Sequence, residues 1–228
     1  MEHFTRKVIR WSSIIGTACG LAGCDWGGPS VVSHERIDGD VRLSEGGAPV
    51  VGALVLARWI GHVGYSGSVC YHAASTRTDE FGRYRIEEWR KPSPFGNKPD
   101  QYPTIRVFAP NLVEAPTGGG PHVRMVRFNG SSAERLDYLV NGQHWTYCSA
   151  TDEPTEKASL SALTAIFAEA DSIAKTPDEK YRTYGMLRRL ETAEVGEDEA
   201  TRRYNKRLDE LYPKPETKVL RPEITFQH

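Results

Sequence analysis

Thr76-Arg77-Thr78-Asp79-Glu80-Phe81-Gly82-Arg83-Tyr84-Arg85-Ile86 is the stretch on which the fold turns. Its flanks are rich in β-branched and aromatic residues. Its middle is a turn sequence whose glycine can take the positive φ that closes a tight reversal. This predicts two strands, Cys70–Thr78 and Arg83–Glu88, joined as a hairpin by Asp79–Gly82. Working outward, Ile37–Leu43 reads as a strand ended by Ser44-Glu45-Gly46-Gly47. Ala53–Ala57 is too apolar to leave one face wet, which places it centrally in a sheet. Thr104–Phe108 and Val123–Phe128 alternate polar and apolar residues, and Leu136–Val140 and His144–Cys148 are read as further strands. Two loops are expected among them, the glycine-rich Arg58–Val69 and the proline-rich Arg90–Gln101. The spacing is that of an antiparallel sandwich over residues 36–150.

From residue 151 to 213 the apolar period becomes helical. Leu160, Leu163, Phe167, Ala170 and Ala174 fall on one face. Thr176-Pro177-Asp178-Glu179 is a helix start, with Thr as cap, Pro at the first helical position and Glu closing a capping box. Tyr181, Tyr184, Leu187 and Leu190 then line one face, Gly196 breaks the pattern, and Ala200, Tyr204, Leu208 and Leu211 make a third stripe. The fold class expected is mainly β with an α extension: a Greek-key sandwich, then two or three short helices, then an extended tail, 214–228.

Gly39-Asp40-Val41, then Ala48-Pro49-Val50-Val51-Gly52-Ala53-Leu54-Val55, then Thr76-Arg77-Thr78-Asp79-Glu80-Phe81-Gly82-Arg83-Tyr84-Arg85-Ile86 occur in that order. This progression resembles the carboxypeptidase regulatory-like domain, which implies a small transthyretin-like β-sandwich. It departs from the family in its two long insertions, Arg58–Val69 and Arg90–Gln101.

The N-terminus carries Arg6, Lys7 and Arg10, then an apolar and small-residue run from Trp11 to Gly23. A basic segment, a short apolar segment and small residues at the end are the parts of a secretory signal peptide, here residues 1–23. The run is shorter than the ~18–20 residues that span a bilayer. Leu21-Ala22-Gly23-Cys24 resembles the lipobox of bacterial lipoproteins, which implies that Cys24 becomes the acylated first residue of the mature chain. Residues 24–35 then form a tether. Several acyl chains, at about 0.8 kcal/mol per buried methylene, would hold the protein on a membrane without a spanning helix. Asp25 tilts the expectation to the inner membrane in lineages that use that rule. On this reading Cys19 leaves with the signal and Cys24 is acylated. Of the 4 cysteines, Cys70 and Cys148 remain, as a disulfide in an oxidising compartment or as two unrelated buried thiols.

Formal net charge is −1, far from the balance of a nucleic-acid-binding protein. No His-Glu-x-x-His, Cys-x-x-Cys, Gly-x-Ser-x-Gly or phosphate-binding loop occurs, so no metal, cofactor or catalytic residue is assigned. Asp38-Gly39-Asp40 and Asp79-Glu80 read as turns, since no loop supplies the oxygen ligands of calcium. His62, inside the first insertion, and His72, just beyond it, are the histidine pair worth following. Trp59, Trp89 and Trp145 are the candidate ligand-binding residues, with core packing as the competing role. The expectation is a non-catalytic envelope lipoprotein, bound to a membrane through its lipid and acting through contacts with envelope proteins. A cell-wall or glycan binding module is the alternative, and an enzyme with an unrecognised site is third.

Overall fold

Side chains along Leu54–Trp59 divide between two cores. Val55, Ala57 and Trp59 enter one, while Leu54 and Leu56 enter another with Ala158 and Ala162 of a helix. This is why the strand is apolar at nearly every position: it is covered on both faces. The computed structural model describes residues 31–63, 67–92, 99–100, 102–116, 120–148 and 152–213. The signal peptide, Cys24, Asp25 and the tail 214–228 lie outside the described residues.

Among the described residues, nine strands precede the long helices. They are β1 (Val31–His34), β2 (Ile37–Leu43), β3 (Leu54–Val63), β4 (Gly67–Arg77), β5 (Arg83–Ile86), β6 (Trp89–Pro92), β7 (Thr104–Phe108), β8 (Leu112–Glu114) and β9 (His122–Arg127). They form three small sheets in the orders β5-β2-β9-β8, β4-β3-β7 and β1-β6. Pairing is antiparallel except between β2 and β9, which run parallel from Asp40 opposite His122 to Leu43 opposite Met125. Val41, Tyr84, Ile86, Val123 and Met125 of the first sheet share one core with Val55, Ala57, Trp59 and Val107 of the second.

Four helices follow: α1 (Ser132–Gly142), α2 (Glu153–Ile173), α3 (Pro177–Val195) and α4 (Glu197–Leu211), with a 3₁₀ turn at Gln143–Thr146. α2 lies against β4 and β3, α1 and α3 pack on α2, and α4 packs mainly on α3. Leu136, Leu139, Leu163, Ile166, Ala170, Ala174 and Met186 make the interhelical core. Thr176 and Glu179 form the capping box expected at the start of α3, and Gly196, at φ 84°, separates α3 from α4.

Five readings of the sequence are corrected. Asp79–Gly82 does not close a hairpin, because β4 pairs with β3 and β5 with β2, so this turn carries the chain from one sheet to the other. Arg58–Val69 is largely strand: β3 and β4 continue through it with a register shift at Trp59/Ile60. Val31–His34, placed in the tether, is a strand pairing with Trp89–Pro92, the start of the expected second loop. Leu136–Val140 and His144–Cys148 are not strands. The first lies in α1 and the second in the 3₁₀ turn, with Tyr147 and Cys148 just beyond it, so residues 36–150 are not wholly β and the helices number four among the described residues. Finally, the buried face of α2 includes Thr155, Ala158, Ser159, Ala162 and Ile166, with Leu160 and Phe167 on its flanks. Small residues there let the helix sit close to the sheet.

Candidate functional site

The densest gathering of chemistry-bearing groups lies where β4, β6 and the first turn of α2 meet. β4 supplies His72, β6 supplies Lys91, and α2 brings its capping residue Asp152 and Thr155. Lys91 Nζ lies 2.8 Å from His72 Nδ1 and 2.6 Å from Asp152 Oδ2. An ammonium group can only donate, so Nδ1 accepts and the imidazole proton sits on Nε2. Thr155 Oγ1 lies 2.9 Å from Nδ1 and 3.0 Å from Asp152 Oδ1, and accepts the Ala73 backbone N–H at 3.2 Å. Burial, then the Lys91 charge, pushes the His72 pKa down to about 4 against the opposing pull of Asp152. Burial alone would raise the Asp152 carboxyl, but the hydrogen bonds from Lys91 and Thr155 outweigh it and hold the group low.

A hydroxyl, an imidazole, an ammonium and a carboxylate are the parts of a nucleophile–base arrangement. Here the hydroxyl is 0% exposed and committed to a backbone N–H of the sheet. The hydroxyl is closed to solvent, and through it and Lys91 the cluster ties sheet to helix as a polar joint. Sequence reasoning reached His72 but missed Lys91, Asp152 and Thr155. The available signal was Asp152-Glu153-Pro154-Thr155, a helix start in which the capping aspartate accepts the Thr155 N–H.

Aromatic rings close the joint on its other side. His72 stacks on Trp59 at 5.3 Å between centroids, and Trp89 meets both rings, at 5.3 Å from Trp59 and 4.9 Å from His72. Trp59 is 0% exposed and Trp89 9%. Trp145 is elsewhere, half-buried after α1, edge-on to Tyr138 and beneath the Arg106 guanidinium at 4.7 Å. The three tryptophans therefore do not form an exposed row. His62 is exposed and pairs in register with Ser68, whereas His72 pairs with Trp59, so the watched histidines are not cross-strand partners. Cys70 of β4 is bonded to Cys148, 78 residues on, with Cα atoms 5.1 Å apart. This choice between a bridge and two separate thiols falls to the bridge.

Asp38 pairs with Arg36 and Arg85, and Asp40 with Arg42 and His122. Among the described residues no group of three His, Cys, Asp or Glu side chains is placed to hold a metal, and no helix is long and apolar enough to cross a membrane. No family model matches the chain, nor does any of the curated proteins or solved structures compared with it.

Proposed function

We propose that this chain is an envelope lipoprotein: a transthyretin-like, Greek-key β-sandwich with a helical extension, held on a membrane by acylated Cys24 and acting without catalysis through contacts with other envelope proteins. The observation that carries this reading is the Cys70–Cys148 bridge, since such bonds persist in oxidising compartments and are rare in the cytosol. It accords with the lipobox-like Leu21-Ala22-Gly23-Cys24. The core shared by the two larger sheets supports the sandwich. The contact role is supported by Tyr181 and Tyr212, 48% and 46% exposed and edge-on to each other on the outermost helical hairpin. Paired exposed tyrosines are the kind of anchor that interfaces favour.

The test is the intact mass of the protein from membrane fractions, beside a Cys24→Ala variant. The expected result is a chain beginning at Cys24 with acyl mass, and a variant lost from the membrane fraction. An unacylated wild-type chain that retains residues 1–23 would remove the proposal. Crosslinking in cells, with and without Tyr181→Ala and Tyr212→Ala together, tests the contact role: adducts unchanged by the double substitution would discard this hairpin as the contact surface.

A further inference from the structure

Three consecutive residues, Trp145, Thr146 and Tyr147, are each engaged by arginines from elsewhere in the fold. The Arg106 guanidinium of β7 covers the Trp145 ring. Arg189 of α3 donates to Thr146 Oγ1 at 3.0 Å and lies 5.5 Å from the Tyr147 ring. Arg58 of β3 donates to the Tyr147 carbonyl oxygen at 2.9 Å. Arg58 and Arg106 are diagonal neighbours on adjacent strands, because Leu56 faces Arg106 and Arg58 faces Thr104. Side chains so placed are within reach of one another.

The charges do not balance. Glu114 pairs with Arg106 at 3.1 Å, but among the described residues no carboxylate lies within ion-pair reach of Arg58 or Arg189. The Nε atoms of Arg58 and Arg106 are both buried, and neither has an acceptor among the described residues. Burial and the Arg106 charge lower the Arg58 pKa, and burial lowers that of Arg189, so both cations are held where their charge is unfavourable. Tyr147 is 61% exposed and the Arg106 side chain 35%, so solvent reaches the outer part of the cluster but not the two Nε atoms. An unpartnered buried N–H costs free energy, and like charges placed side by side add to it.

From this geometry we infer that the Arg58–Arg106–Arg189 cluster is a binding site for an oxyanion, a carboxylate or a phosphate, whose negative charge offsets the guanidinium charge that no carboxylate among the described residues balances. Guanidinium groups suit such ligands because they offer several fixed donors to a group with several acceptor oxygens. The site stands apart from the buried His72 joint and does not depend on membrane anchoring.

The test is a titration of the full chain, in non-ionic detergent, with inorganic phosphate and separately with acetate. Ionic strength is held constant with chloride, and the arginine Nε–H signals are followed by NMR. The expected result is a saturable shift of the Arg58 and Arg106 signals, with the anion giving the lower Kd identifying the preferred source. Arg58→Gln should weaken that binding at least tenfold, while Arg202→Gln, on exposed α4, should leave it unchanged. Unsaturable or absent shifts with both anions, or equal binding by Arg58→Gln, would overturn the inference. Should Arg58→Gln fail to fold, the wild-type titration decides alone.

Discussion

The hydroxyl oxygen of Thr155, in the first turn of α2, accepts the backbone N–H of Ala73 on β4 at 3.2 Å. β4 is an edge strand, and an edge with free N–H groups invites pairing with another chain. The helix closes that edge with a side chain and, through the same hydroxyl, joins Asp152. Thr155→Val keeps the shape but leaves the Ala73 donor buried and unpaired. The expected cost is about 1–3 kcal/mol in urea unfolding, with Thr155→Ser nearly silent. A valine variant as stable as wild type would show that the hydroxyl contributes nothing.

His72 sets a pH dependence. Its pKa in the folded chain is about 4 against an ordinary 6.5, so between those values the unfolded chain binds the proton that the folded chain refuses. Stability is therefore full above the ordinary value and falls as pH drops through that window, by something on the order of 3 kcal/mol. Asp152, whose folded pKa is lowered, loses its own contribution in the same direction, as pH falls below the unfolded carboxylate range. Urea midpoints measured across this range should flatten in His72→Gln. An equally steep decline in the variant would assign the acid sensitivity to other groups.

The bridge between Cys70 and Cys148 closes a loop spanning 78 residues and ties β4 to the segment between α1 and α2. In the chain-entropy picture a loop of this length is worth roughly 4 kcal/mol. Cys70→Ser should lower Tm by several degrees, and thiol labelling of native protein should find neither cysteine free. Full labelling of both cysteines in native protein purified without reductant would refute the bridge.

Strand and helix starts carried by local chemistry were legible, and features decided by tertiary partners were not. Ile37–Leu43 stands where it was read, ahead of the turn Ser44–Gly47, Thr104–Phe108 stands where its alternation placed it, and Thr176–Glu179 starts α3 through its own hydrogen bonds. The hairpin at Asp79–Gly82 failed because a turn sequence fixes a reversal but not which sheet receives the next strand. Leu136–Val140 was misread from a short apolar run. The deciding signal lay upstream, in the capping box of Ser131 and Glu134 that starts α1. The arginine cluster was invisible because β3, β7 and α3 contribute one arginine each, and nothing local marks Arg58 as lacking an acid.

Gly82 and Gly46 provide the last prediction, because they share a backbone conformation but not an environment. Their φ angles are +73° and +70°. A Cβ on Gly82 would lie 2.6 Å from the Val41 carbonyl oxygen and about as close as contact permits to Pro49, at 3.0 Å. That carbonyl accepts from Val50, and the Gly82 carbonyl in turn accepts from Val41, so the neighbours are backbone held by their own hydrogen bonds and cannot step aside. A Cβ on Gly46 meets nothing within 4 Å. Gly46→Ala should therefore cost only the left-handed strain, ~1 kcal/mol. Gly82→Ala adds overpacking on the order of 1–3 kcal/mol and loosens the crossing between the two larger sheets. Urea unfolding of the two variants side by side separates conformation from crowding. Equal losses would mean that the turn between β4 and β5 relaxes freely and does not hold the sheets in register.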